Sequence, residues 1–257
     1  MRTSSWRTAA VLLLMAGVAV PAFGQDAREI MREAQRRTEA ESQRYAGTLQ
    51  VIDARGKVTD KRWEYTRLGS HGTSKSVLRF TAPAEVKGVA LLIINHPDRA
   101  SDQWMWTPAI ARDRRIALQD RSTRFFGTDF SFEDLEERDV DQYDFSLLGE
   151  EAVNGVACWR IEARPRQRKT SQYTRSRIWV RKDNYAYARV ENDVRNEIVR
   201  RLVYDQLERM QGIWTARLLE MTDLRRKSRT VLKLEKLEYN VPMKDEEFTL
   251  LALRRER

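Results

Sequence analysis

The chain has 257 residues, 33% of them charged and 41% apolar, with a formal charge of +9, one cysteine and two histidines. That balance suits a globular domain with a well-solvated exterior. It excludes an internal disulfide, because Cys158 is alone, and a histidine-based zinc site, because His71 and His96 lack ligand-like spacing. After the N-terminal segment, no apolar stretch approaches the roughly 20 residues needed to cross a bilayer as a helix.

Residues 1–24 read as a cleavable signal peptide. Arg2 and Arg7 form a basic start, Ala9 to Val20 is apolar, and Pro21 breaks the run. Ala22-Phe23-Gly24 then places small residues at the −3 and −1 positions of a cleavage site. The alternative, a buried first helix, does not explain that order of charge, apolar run and small residues. Gln25 rather than Cys follows the cut, so no lipid is expected on the mature N-terminus. The expected product is a periplasmic domain over residues 25–257, without a membrane anchor. Its positive charge would draw it to anionic lipid and glycan surfaces, which permits peripheral contact with a membrane. Nucleic acid is not an expected partner, since exported proteins rarely meet it.

A helix is predicted from Asp26 to about Arg44, because Ala27, Ile30, Met31, Ala34 and Thr38 recur at three- and four-residue spacing. Thirteen strand-like stretches follow, separated by Gly, Pro and Asp clusters at hairpin distances. They are Tyr45–Asp53, Val58–Leu68, Ser74–Thr81, Val89–Asn95, Gln103–Thr107, Arg112–Leu118, Tyr143–Gly149, Val156–Ala163, Tyr173–Val180, Tyr185–Asn192, Ile198–Leu207, Ile213–Asp223 and Thr230–Tyr239. Asn154-Gly155 is a two-residue hairpin signal, and Gln211-Gly212 is a good loop sequence. In the last stretch Leu232 and Leu234 share one face while Leu237 and Tyr239 fall on the other, which predicts a β-bulge near Glu235-Lys236. Cys158 lies in the apolar-rich run Val156 to Trp159 and is expected to be a buried, inert thiol.

Many of these strands are amphipathic, as with Ile198, Leu202 and Tyr204 against Arg200, Arg201 and Asp205. One wet face implies an antiparallel sheet with a single apolar side. Only the N-terminal helix and a short helix over Phe132 to Glu137 are available to cover it. Ser131 and Asp134 make a capping-box-like start to the second. Ahead of it, Phe125, Phe126, Phe130 and Phe132 crowd around Gly127. These rings form either a plug that completes the core or a movable lid over an apolar cavity. Cavity-lining candidates are Leu91, Ile93, Trp104, Trp106 and Leu135, beside the four phenylalanines.

No catalytic arrangement stands out: there is no Gly-x-Ser-x-Gly elbow, phosphate-binding Gly loop or His-Glu-x-x-His. The acidic run from Asp129 to Asp144 lacks the alternation of a calcium loop. No cofactor, metal or enzymatic activity is expected. An enzyme acting on lipids ranks behind a binding protein and behind an envelope interaction protein whose core is filled by its own side chains.

Three groups of residues resemble the outer-membrane lipoprotein-sorting proteins, relatives of the periplasmic carrier LolA. The first runs from Lys87-Gly88-Val89-Ala90-Leu91-Leu92 through Gln103-Trp104-Met105-Trp106-Thr107-Pro108-Ala109 to Arg114-Arg115-Ile116. The most specific is Phe126-Gly127-Thr128-Asp129-Phe130-Ser131-Phe132-Glu133-Asp134-Leu135, and the third joins Asp205 to Trp214 with Tyr239-Asn240-Val241. The resemblance covers roughly residues 45–253. It implies a mainly antiparallel β fold: a curved, incomplete barrel covered by helices, with a hydrophobic cavity for the acyl chains of lipoproteins or lipids. It also implies a transporter of the resistance-nodulation-division (RND) type as a partner, docking to one being the alternative role. Arg114 and Arg115, ahead of the aromatic loop, are the candidates for anchoring a lid.

Overall fold

A computed structural model of the chain describes residues 26–255, so the signal peptide reading lies outside the described residues. Helix α1 spans Ala27–Arg36, and its Asp26 cap accepts the Arg28 backbone N–H at 3.1 Å. Ala27, Ile30, Met31 and Ala34 form its buried stripe. The helix stops at Arg36, not near Arg44. The Thr38 hydroxyl donates to the Gln35 carbonyl at 2.9 Å, and the chain from Ser42 is drawn into a strand that pairs on both sides.

The strands are β1 (Ser42–Ile52), β2 (Val58–Leu68), β3 (Lys75–Ala82), β4 (Ala90–Ile94), β5 (Asp102–Thr107), β6 (Arg112–Arg115), β7 (Tyr143–Val153), β8 (Val156–Pro165), β9 (Arg175–Arg181), β10 (Tyr187–Val194), β11 (Glu197–Met210), β12 (Ile213–Asp223) and β13 (Ser228–Tyr239). All thirteen predicted stretches become strands of one antiparallel sheet, in the order β6-β5-β4-β3-β2-β1-β13-β12-β11-β10-β9-β8-β7. Nearly every neighbouring pair is a sequential hairpin. Both Asn154-Gly155 and Gln211-Gly212 take positive φ at their two residues, the mirror-image turn that matches strand twist. The exception is β1 with β13, which joins the two halves of the chain into one curved, open sheet.

The bulge falls where the parity shift puts it. Arg44 faces Glu238 but Ala46 faces Glu235, and Lys236 takes φ 46°. The extra residue lets Leu232, Leu234, Leu237 and Tyr239 all be buried. Gly47 on β1 marks a close approach: a Cβ there would stand 2.5 Å from Trp63 Nε1 and 2.9 Å from Leu232.

The expectation of one apolar side needs correction at β4, whose residues Ala90, Leu91, Leu92 and Ile93 are all buried. Leu91 and Ile93 join the inner core with Leu49, Trp63, Leu78, Phe80, Phe125 and Phe132. Ala90 and Leu92 face outward, where Phe248 and Leu253 cover them. Leu253 belongs to a C-terminal helix, α2 (Leu250–Arg254), that the expected pair of helices did not include. Arg79 of β3 donates to the Leu253 carbonyl at 2.8 Å and ties that helix down.

The sheet's edges are β6 and β7, which are consecutive in the chain. Residues 116–142 must therefore travel from one edge of the sheet to the other. They carry the aromatic loop and the acidic run, and this path creates the site.

Candidate functional site

The aromatic loop is packed as core. Phe125, Phe130 and Phe132 are buried, with Phe125 stacked on Phe80 at 5.3 Å and meeting Phe126 and Phe132 edge-on. Phe126 and Leu135 pack partly buried against the same cluster. Phe126 and Gly127 turn the chain with φ of 45° and 76°. The turn is stapled to β13 by Asp129, which is fully buried and accepts Ser228 Oγ at 2.5 Å, Thr230 Oγ1 at 2.8 Å and Arg124 Nη2 at 3.0 Å. The expected helix over Phe132 to Glu137 is one 3-10 turn, Glu133–Leu135. Ser131 and Asp134 still exchange the reciprocal capping bonds, at 2.7 and 3.3 Å.

The loop covers the inner face of β1–β4 and β13, whereas α1 covers that of β8 and β9. Between them neither reaches, and a cavity of 530 Å³ remains. That size lies within the usual range for small-molecule sites. Its walls are α1, the inner face of the sheet and residues 133–140. The sheet supplies aliphatic groups, among them Val190, Leu202, Leu219, Met221, Leu232 and Leu234. All eight tyrosines of the chain also line it.

Burial pushes up the phenols of Tyr45, Tyr65, Tyr143, Tyr173, Tyr187, Tyr204 and Tyr239, that of Tyr187 to about 12, so these face the cavity as neutral hydroxyls. Some are tied: Tyr173 donates to Asp134 at 2.7 Å and accepts from Arg200 at 2.7 Å, and Tyr239 shares a 2.7 Å bond with Thr215. Tyr45 and Tyr65 stack at 4.9 Å.

The acidic run opens two 3-10 turns, with Glu133 and Asp134 in the first turn of one and Asp139 capping the other. Residues 133–140 form a strap in which Glu133, Asp134, Glu136 and Glu137 bind arginines, while Asp139 accepts Gln35 Nε2 of α1 at 3.1 Å. Glu133 binds Arg138 at 2.8 Å, Asp134 binds Arg200 at 3.1 Å, and Glu136 binds Arg121 at 2.7 Å and Gln103 at 2.9 Å. Glu137 binds Arg67 and also accepts Ser74 Oγ at 2.8 Å. Desolvation pushes the Glu133 carboxyl up, opposed by Arg138, Ser171 and the Gln172 backbone N–H. Buried pairs of this kind add little net stability but penalise any arrangement that breaks them. They define one position for the strap.

The sequence-derived candidates therefore divide into three places, none of them a cavity wall. Leu91, Ile93, Phe125, Phe126, Phe130, Phe132 and Leu135 lie in or against the core beside the cavity. Trp104 and Trp106 pack on the outer face with α2. Arg114 and Arg115 lie on the edge strand β6. The arginines that hold the strap are Arg67, Arg121 and Arg200, while Arg138 braces it from within through Glu133 and Glu136. The missed lining did leave a trace: Leu202 and Tyr204, two apart on an amphipathic strand, already share a face.

Arg115 has another task. It donates to Asp102 at 2.6 Å, alongside Arg99 at 2.8 Å and His96 at 2.9 Å, and lies over Trp104 at 5.8 Å. Desolvation opposes the Asp102 charge, but these three hydrogen bonds outweigh it and hold the carboxyl well below the usual range. A depressed carboxylate contributes stability above its unfolded pKa of about 3.9 and loses it as pH falls. Urea unfolding from pH 6 down to pH 2 should show a steeper acid loss in the wild type than in Asp102→Asn. Parallel curves would remove Asp102 from the acid response.

A family model whose description reads "-like: Uncharacterized protein" matches residues 72–255. A domain described as an outer membrane lipoprotein-sorting protein, from Vibrio parahaemolyticus, is 26% identical with a TM-score of 0.85, over 89% of this chain and 98% of that one. The chain belongs to the family of that model and shares the fold of these lipoprotein-sorting, LolA-like structures. A DUF1329 family protein from Desulfovibrio piger is 28% identical with a TM-score of 0.84, over 88% and 97% of the two chains. A LolA superfamily protein from Nitrosomonas europaea shares the fold at 19% identity, with a TM-score of 0.71 over 88% and 98%. No curated protein sequence matches the chain closely. Within the LolA-like fold, the half-open barrel is the β6-to-β7 sheet, and the strap and α1 close it over the cavity.

Proposed function

We propose that this LolA-like protein is a periplasmic, non-catalytic carrier that shields acyl chains of lipoproteins or lipids in its cavity during transfer between membranes. The supporting observation is the 530 Å³ cavity between an aliphatic sheet face, α1 and the strap. Each CH₂ of a chain left in water costs about 0.8 kcal/mol, so an acyl chain needs such a shelter to cross an aqueous compartment. Moving it from bilayer to cavity is nearly neutral in that respect. Direction must then come from the donor or acceptor, for which an RND-type transporter is a fitting partner. In this reading the aromatic loop is fixed core beside the cavity, and residues 133–140 are the cover.

The test is to fill the cavity from a buried wall position. Ala216 lines it and is 8% exposed. Wild-type protein should bind a fluorescent acyl probe, and Ala216→Trp should weaken binding at least about tenfold, since an occupied pocket loses its ligand-sized volume. Thermal unfolding of the variant checks that it remains folded. A folded wild type that binds no acyl probe, and carries no lipid when native mass spectrometry is run on material from its own envelope, would sink the reading.

A further inference from the structure

We propose that the cavity selects an amphiphile with an anionic head group, a carboxylate or phosphate, which replaces the strap residue Glu137 on Arg67. This rests on the carrier reading above and names the cargo class.

Arg67 is unlike the other arginines around the cavity. It sits on β2 with 4% of its side chain exposed, and among the described residues its single carboxylate partner is Glu137. Its Nε and Nη2 are buried without a hydrogen-bond partner. By contrast Arg138 donates to Glu133, Glu136, the Tyr143 hydroxyl and the Thr170 carbonyl. Arg200 is shared by Asp134 and Tyr173 and leaves one nitrogen, Nε, without a partner where Arg67 leaves two. A buried guanidinium with two idle nitrogens is costly unless something else satisfies it. Planar carboxylates and phosphates match its fork and can accept two bonds at once.

The neighbourhood fits such a group. Arg67 pairs across the sheet with Gln43, and Gln43 pairs with Tyr239. Gln43 Nε2 lies 3.5 Å from the Tyr239 hydroxyl, which in turn meets Thr215 at 2.7 Å. Arg67, Gln43, Tyr239 and Thr215 thus form a polar row across four strands of the cavity wall. Leu219, Leu232 and Leu234 supply the aliphatic surface for a chain attached to a head group held there.

Glu137 is the member of the pair that can leave. Its side chain is 26% exposed, and it lies on the strap between two 3-10 turns, Glu133–Leu135 and Val140–Gln142. Arg67 is fixed in the middle of the sheet. A cargo anion arriving at Arg67 would exchange with Glu137, releasing one anchor of the strap, while an uncharged amphiphile would have to leave that ion pair in place. The exchange gives selectivity by charge, because the site's buried donor is satisfied by an anion and not by an alcohol.

The experiment displaces a neutral fluorescent acyl probe from the full chain at pH 8 with dodecanoate, dodecyl phosphate, dodecanol or inorganic phosphate. The acid and the alkyl phosphate should bind at least about tenfold more tightly than the alcohol, as befits a charge-assisted bidentate contact. Inorganic phosphate should not compete. Arg67→Gln should collapse the acid-to-alcohol ratio towards one, and Arg67→Lys should restore part of it. Glu137→Gln removes the competing carboxylate and keeps an acceptor for Ser74, so it should raise the ratio above wild type. That direction is opposite to what a purely structural ion pair would give, and it stands even if Arg67→Gln does not fold. Equal binding of acid and alcohol, competition by inorganic phosphate alone, or an unchanged ratio in Glu137→Gln would each overturn the proposal while leaving the carrier reading intact. Failure of the folded wild type to bind any of the amphiphiles or the probe would overturn the carrier reading as well.

Discussion

Phe125→Ala is expected to cost about 3–5 kcal/mol of folding stability, the usual penalty for emptying a buried aromatic site. Phe125 is fully buried and stands between Phe80, stacked at 5.3 Å, and the edges of Phe126 and Phe132. Its backbone also closes the turn, with its N–H on the Phe130 carbonyl at 2.8 Å. The surrounding strands β1–β4 and β13 are hydrogen-bonded on both sides, so the site cannot collapse to fill the void. Phe126, which is only partly buried, should cost less when truncated. Urea unfolding at neutral pH measures both. A loss below about 1 kcal/mol for Phe125→Ala would be far under the core range, and would mean that the loop is a loosely held cover after all.

Asp129→Ala should cost a similar amount, about 3 kcal/mol or more, through a different mechanism. Removing one member of a buried ion pair strands the other groups it satisfied. Here Arg124 keeps the Thr128 and Gly127 carbonyls at 2.7 and 2.6 Å and can turn partly to water, being 22% exposed. Ser228 and Thr230 have no such exit, as both are buried in β13. The penalty therefore falls on the join between the loop and the strand that links the two halves of the sheet. Asp129→Asn, which keeps an acceptor for Ser228 or Thr230, should recover part of the loss. If Asp129→Ala unfolds at the wild-type urea midpoint, the staple contributes nothing and the loop is held by its rings alone.

The two substitutions separate what holds the loop from what holds the cavity. Neither Phe125 nor Asp129 lines the cavity, so variants that remain folded should retain acyl-probe affinity. Ala216→Trp should do the reverse, losing the probe and keeping the fold.

Strand content was legible residue by residue because period-two alternation and turn chemistry are local. Val58–Leu68 and Ile213–Asp223 carry the same limits as sequence and as structure. Even the irregularity at Lys236 shows as a parity shift from Leu234 to Leu237, since a bulge must move every later side chain to the other face. Helix ends were less legible. Whether residues 37–44 continue α1 or enter β1 depends on β13, whose pairing partner in the chain is nearly 200 residues away.

The site was the least legible part. A continuous apolar run such as Ala90–Ile93 is compatible with either face pointing inward, and only the C-terminal helix reveals that both faces are covered. The four phenylalanines mark the segment that crosses the sheet, but not how much of the sheet it covers. Leu91, Ile93 and the aromatic rings pack against one another, so the void opens beyond them, where the tyrosines lie. The inward facing of Leu202 and Tyr204 was present in the alternation. That Tyr45, Tyr65, Tyr143 and Tyr204 meet around one space was not, because they come from strands brought together by the closure of β1 on β13. Local periodicity thus determined the strands, their turns and the bulge. The cavity, the strap and the pairing of Arg67 with Glu137 were decided by which distant strands became neighbours, since a void is a property of how covering elements divide a sheet.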